Sequence, residues 1–292
     1  MSALTRGYIF GFIGVAIFAL TLPFTKMAVH ELNPFFISMG RTVLAALVAL
    51  PLLFLTNQPR PTFADFKTLL IIVAGVVLGF PILSTIAMKT APASHGSVVL
   101  ALLPLSTAFM STIFAGERPS KQFWFWGLLG SSAVIVYAIW EGGFEFHAAD
   151  ILLVFAVITA SMGYAAGGQL SRKLGGWQVI CWALLVALPI TLPLTVYFAK
   201  GLPAVVSTQS WACFIYLGLM SQLVGFFAWN KGLATGGVAK VGQVQLLQTF
   251  ITQLAAAIVL GETLTARSLI FALLVASCVW FGRRAVVQSA PR

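Results

Sequence analysis

Apolar residues in this chain follow neither the alternation of a half-buried strand nor the one-sided stripe of a surface helix. They come in long runs, each closed by Pro, Gly or charge. Runs near 7–29, 34–56, 67–88, 93–115, 121–140, 149–171, 177–199, 209–231, 237–260 and 266–286 have about the 20 residues a helix needs to cross a bilayer. Only helices and closed barrels satisfy their backbone polar groups in hydrocarbon, and runs of this length select the helix. The pattern predicts an all-α, polytopic membrane protein of ten transmembrane helices, with connections too short for a soluble domain.

Composition agrees. The 292 residues are 60% hydrophobic and 8% charged, against roughly 25% charged in soluble domains. The net charge of +10 does not point to nucleic acid, because the cations stand singly at the ends of apolar runs rather than in a basic stripe interleaved with aromatics. The expected large partner is the lipid bilayer. Arg6, Arg60, Lys67, Arg118, Lys121, Arg172, Lys173, Lys231, Lys240, Arg283, Arg284 and Arg292 fall on one side of the predicted spans. Lys26, Lys89, Lys200 and Arg267 fall on the other. Cytoplasmic loops retain Lys and Arg, so both termini are placed in the cytoplasm, in a cell (inner) membrane. The first run lacks a small-x-small cleavage pattern and reads as a retained span. Cys181, Cys213 and Cys278 sit inside apolar runs without CxxC spacing or a nearby His, so they read as buried thiols. Neither a metal nor a cofactor is expected.

A shift of 145 residues brings out an internal repeat. Thr90 falls on Thr235, Thr107 on Thr252, Gly116-Glu117 on Gly261-Glu262 and Leu128-Leu129 on Leu273-Leu274, among 11 matches in 45 ungapped positions. The Gly-Glu pair weighs most, since only seven acids exist in the chain. Two repeats, 1–146 and 147–292, would hold five spans each, and an odd number forces the copies to enter the membrane from opposite sides. Inverted repeats are common in secondary transporters, whose substrate site lies near the midplane where the halves meet.

The Gly-Glu turns, Ala115-Gly116-Glu117 and Leu260-Gly261-Glu262, together with ten spans and 5+5 symmetry, resemble the drug/metabolite transporter superfamily in its ten-span EamA-type branch. The resemblance covers essentially the whole chain. Pro104 looks like that family's proline in span four, with Thr249 at the equivalent place in the second half. Ala228-Trp229-Asn230-Lys231-Gly232 is similar to the matching stretch of YddG-type aromatic amino acid exporters. Where such exporters tend to carry aromatics this chain has Leu103 and Ser161, which implies a pocket with fewer aromatic walls.

Ionisable groups within spans are functional candidates because charge in hydrocarbon is costly. None of the seven acids lies mid-span, so no membrane-embedded acidic proton carrier is expected. Glu117 and Glu262 end helices, where a carboxylate opposes the helix dipole. Each needs a specific partner, such as Lys121 for the first, and acts as a turn clamp or in gating. Gln245, Gln248, Thr249 and Thr252 recur on one face of span nine. That face bonds neighbouring helices or forms a cavity wall, with Gln243 a further candidate. His95 opens span four and Lys240 occupies the equivalent place in span nine; the pair attracts a carboxylate or snorkels to solvent. Arg41 lies about a third of the way into span two, to snorkel outward, hold a loop carbonyl, gate, or meet an anionic substrate. Trp229, Asn230, Phe80, Tyr164 and Phe18 are further cavity candidates, with packing as the alternative. Pro23, Pro81 and Pro104 mark kinks or hinges.

The function expected is secondary transport, with amino acids or related small zwitterions exported by alternating access. Amino acids follow from the resemblance, and a polar, uncharged pocket accords with them. Exchange of phosphorylated or nucleotide sugars would need several cations at the midplane. An intramembrane enzyme would need paired acids, a Ser/His dyad or metal ligands, so no catalytic residue is assigned. Spans five and ten lack polar content and offer a homodimer face; otherwise the chain is a monomer.

Overall fold

The computed structural model describes residues 1–142, 148–261, 266–282 and 284–289. Its helices are α1 (Ala3–Ala28), α2 (Pro34–Leu55), α3 (Phe63–Ala87), α4 (His95–Phe114) and α5 (Lys121–Gly142), then α6 (Ala148–Leu174), α7 (Gly176–Ala199), α8 (Thr208–Gly236), α9 (238–260) and α10 (Ala266–Gly282). Among the described residues, seven of these, α1–α4 and α6–α8, are long and apolar enough to cross a membrane. α9 is broken by a tight turn at Gln243–Leu247, and α10 has 17 described residues.

Local sequence accounts for the helix ends. Asn33 accepts the backbone N–H of Phe35 at 2.9 Å, with Pro34 at the first helical position of α2. Thr62 and Asp65 form a reciprocal capping box at the start of α3. Past α4 and α9 the chain turns through Gly116 and Gly261, both left-handed at φ 64° and 71°. The glycines of the repeated Gly-Glu pair are therefore the residues that stop two helices without a Cβ penalty.

The helices are irregular in matched places. α3 and α8 widen into π-helical segments at Val73–Gly79 and Tyr216–Val224, while α4 and α9 tighten into 3-10 turns at Leu100–Leu102 and Gln243–Leu247. A proline leaves the carbonyl four residues before it without its helical donor, and other helices supply one. Val77 O, freed by Pro81, accepts the Thr42 hydroxyl at 3.3 Å. Ala19 O, freed by Pro23, accepts the Thr252 hydroxyl at 2.9 Å. Pro104 stands at the restart of α4 directly after its 3-10 turn.

Packing follows side-chain size. α1 meets α8 through glycines: a Cβ at Gly7 would lie 2.6 Å from Gly236 Cα, and one at Gly232 would lie 2.7 Å from Gly11 N. Such small-residue faces let backbones approach where no hydrophobic effect drives helices together. α5 packs on α10 through Trp126 stacked on Phe281 at 5.1 Å and Tyr137 against Phe271 at 5.3 Å. Their outward faces, with Leu128, Ile139, Leu273 and Trp280, stay apolar and exposed. One feature had no sequence signal. β1 (Glu117–Pro119) pairs antiparallel with β2 (Val287–Ser289), Glu117 opposite Ser289 and Pro119 opposite Val287. Three residues are too few for alternation to register.

Candidate functional site

A closed cavity lies among α1, α2, α3, α4, α6, α8 and α9. The space in it that the centres of water molecules can occupy is about 20 Å³. Since one water needs roughly 10–15 Å³ by that measure, this conformation is closed down on its own side chains.

Arg41 of α2 dominates its electrostatics. It is 2% exposed and lines the cavity rather than reaching the membrane edge, which corrects the reading of a snorkelling side chain. Position in an apolar run cannot tell which way a long side chain points. Arg41 Nη2 donates to Ser221 Oγ at 2.9 Å, and Ser221 Oγ lies 2.8 Å from Thr21 Oγ1. Arg41 Nε and Nη1 are buried and have no hydrogen-bond partner. Among the described residues lining the cavity no carboxylate faces it, so the pocket is not the uncharged one expected.

The π segments place the neighbouring polar groups. Ser221 and Gln222 lie in that of α8, and Gln222 Nε2 donates at 3.3 Å to Val76 O in that of α3. Such bulges recur at functional sites because they re-aim side chains and expose carbonyls. Aromatic rings make up another part of the lining. Phe18 packs on Phe226 at 5.0 Å, and Tyr164 packs on Phe226 at 6.0 Å, while Phe80 adds a fourth lining ring. Leu103 and Ser161 in place of aromatics have therefore not stripped the pocket, because its rings come from other positions: Phe18, Phe80 and Phe226 on α1, α3 and α8, and Tyr164 on α6 itself. Neither Leu103 nor Ser161 lines it.

The polar face of α9 divides. Gln248 lines the cavity, and its Oε1 is buried without a partner. The others turn to helices: Gln245 Oε1 accepts from Thr107 at 3.3 Å, Thr249 donates to Ser97 O at 3.1 Å, and Thr252 donates to Ala19 O. Gln243 is buried against Gly127 of α5. Trp229 stands behind the cavity, fully buried and 5.3 Å from the Tyr164 ring. Asn230 donates to Gly176 O at 3.2 Å and so ties α8 to α7.

The titratable candidates have specific partners. His95 Nε2 lies 2.6 Å from Asp150 Oδ1, so the ring, about 29% exposed at the start of α4, pairs with a carboxylate of this chain and is not among the residues lining the cavity. Lys240, half-buried on the first turn of α9, does not line the cavity. Glu117 accepts the backbone N–H groups of Val238 and Ala239 at 2.8 and 2.7 Å and Arg172 Nη2 at 3.0 Å. Its partner is thus the positive end of α9 plus Arg172, not Lys121, which relieves its conflict with the dipole of its own helix. Glu262 lies outside the described residues. Sequence reasoning did not single out Ser221, Gln222 or Phe226; the available signal was a Ser-Gln pair inside an otherwise apolar run.

A buried polar and aromatic pocket among helices apolar enough to cross a membrane defines the class as a polytopic membrane protein with an internal cavity. Comparison with known proteins makes that class specific. The chain matches the EamA-like transporter family over residues 5–139 and again over 147–281, and it belongs to that family. It is a membrane transporter of the drug/metabolite superfamily and not an enzyme. It is 39% identical over 290 residues to the uncharacterized transporter YdeK of Bacillus subtilis, covering 97% of this chain and 99% of that protein. It is 24% identical over 208 residues to a probable terminal-alkyne amino-acid exporter of Streptantibioticus cattleyicolor, covering 70% of this chain and 68% of that one. A solved crystal structure shares the fold, with a TM-score of 0.75 at 16% identity over 95% of this chain and 96% of the other.

Proposed function

We propose that the protein is a secondary transporter exporting amino acids or related small zwitterionic metabolites by alternating access. The observation that carries this is the cavity, where one buried cation, an unpartnered Gln248 carbonyl and an aromatic wall face the same closed space. An amino acid offers a carboxylate, an ammonium and a side chain to those three. The relative described as an amino-acid exporter and the likeness to YddG-type exporters support the same reading. A single lining Arg is a poor match for a phosphorylated or nucleotide sugar, which carries more charge.

The wider architecture belongs to this proposal. Ten spans would enter as two inverted repeats, and α5, α9 and α10 would cross with the rest. The paired π segments of α3 and α8, the paired 3-10 turns of α4 and α9, and the two family matches support that reading. Both termini would be cytoplasmic in an inner membrane, and a second copy would pack on the apolar outer faces of α5 and α10.

Counterflow in liposomes tests the function. Purified protein should exchange labelled against unlabelled amino acids, equally with and without a pH gradient because no acid among the described residues lines the cavity. Absence of counterflow for every amino acid would overturn the proposal.

A further inference from the structure

An arginine fully buried beside an enclosed space with no carboxylate facing it is costly unless something supplies the opposite charge. Arg41 meets that description on three counts. It is 2% exposed, its one hydrogen bond among the described residues goes to the neutral Ser221 hydroxyl, and its Nε and Nη1 are buried without a partner in a residue that lines the cavity. A guanidinium grips a carboxylate through Nη2 together with either Nε or Nη1, so the second N–H of Nη2 and one of these free nitrogens suit its two oxygens in a bidentate pair.

Nothing comparable is built for a cation. The cavity offers an ammonium the neutral Gln248 carbonyl and ring faces, with no acid among the described lining residues. Phe18, Phe226 and the ring of Tyr164 instead add an aromatic surface to the same lining.

Resting on the transport reading above, we infer that Arg41 is the substrate's anion receptor. The molecules carried are therefore monocarboxylates with an apolar or aromatic body: the carboxylate is obligatory and the α-ammonium dispensable. A deaminated amino acid is then a ligand, whereas the decarboxylated amine and the carboxyl amide of the same amino acid are not. A phosphate monoester, with close to two charges, is left with unpaired negative charge in the pocket.

Thermal shift of the purified full chain reads binding, and liposome counterflow reads transport. Phenylalanine, its deaminated acid, its amide, its decarboxylated amine and phenyl phosphate serve as probes. The first two should raise the melting temperature, with affinities within about tenfold of each other, while the others should shift it little. Arg41→Met should abolish the shift by both acids yet leave the unliganded protein as stable as wild type or more so, because it removes an uncompensated buried charge. Arg41→Lys, keeping charge but losing the fork, should bind more than tenfold more weakly.

The inference is overturned if no probe shifts wild type, if the amide or amine binds as well as the acid, or if phenyl phosphate binds best. It is equally overturned if Arg41→Met retains the acid response, or if that variant loses stability that Arg41→Lys restores. Shifts by the carboxylates without counterflow would sink the transport reading while leaving Arg41 standing as a receptor for a carboxylate.

Discussion

Glu117 shows how much a single carboxylate can organise in this molecule. It lies at the end of α4 but serves α9, accepting from Val238 and Ala239 N–H while Arg172 closes the set. Removing it strands two buried amides, and Glu117→Ala should cost about 2–4 kcal/mol, read as a drop in melting temperature in detergent. Glu117→Gln, which keeps an acceptor, should lose less. On α9, Gln248 and Thr252 share a face but not a task. Gln248→Ala should raise KM in counterflow several-fold with little loss of stability. Thr252→Val leaves Ala19 O without its donor and should cost about 0.6 kcal/mol, near the mean for interhelical hydrogen bonds in a membrane, with KM unchanged. Equal effects on KM would contradict the division. The sequence revealed that this face is polar, since spacing alone does that. Which of its residues reach the cavity depends on Ser97, Thr107 and Ala19, carbonyl or hydroxyl partners far away in the chain that no local pattern identifies.

At the scale of elements, the apolar runs and the Gly-Glu stops were legible because hydropathy and left-handed glycines act locally. The π and 3-10 segments were not, because they are stabilised by distant side chains such as Gln222 on Val76 O. Arg41 shows the same limit: its run gives its depth, but only packing against Ser221 turns it inward. The α1–α8 contact is a signal that spacing did contain. Gly7 and Gly11 lie one turn apart, as do Gly232 and Gly236, and these glycines touch across the two helices. A methyl at Gly232 would sit 2.7 Å from Gly11 N and 2.9 Å from Gly7 O, both backbone atoms that cannot swing aside. Gly232→Ala should therefore lower stability by about 1–3 kcal/mol as the helices are forced apart. Gly201→Ala, whose nearest neighbour would be 3.9 Å away, should be close to neutral. Comparable melting temperatures for the two variants would show that this seam is not tightly packed.

Across the whole molecule, polar links join the first and second halves around the closed cavity. Asp65 meets Lys173 at 2.8 Å, Gln58 meets Gln178 at 2.9 Å, and Glu31 accepts the Ser207 backbone N–H at 2.8 Å. The last pair lies in the connections before α2 and before α8. The hydrogen bond from Ser207 N–H, aided by the Ser207 and Ser210 hydroxyls, holds the Glu31 carboxyl below its usual range. A carboxylate with a depressed folded value stabilises its contact above the unfolded value and loses that contribution as pH falls through the folded one. Hydrogen exchange at the Ser207 amide should accelerate as acid protonates Glu31, beyond the intrinsic pH trend, and Glu31→Gln should remove that excess. Protection that stays constant through the carboxylate range would contradict the role given to Glu31.

The pairing of β1 with β2 gives the exit of α10 a mechanical role. Because Val287 and Gln288 are laced to Pro119 and Arg118, the end of α10 and the turn between α4 and α5 must travel together in any movement that opens the pocket. Glu117 belongs to that same strand. A pull on the chain after α10 is thus delivered directly to the carboxylate gripping the start of α9, and a fluorophore on Gln288 would report any displacement of that turn.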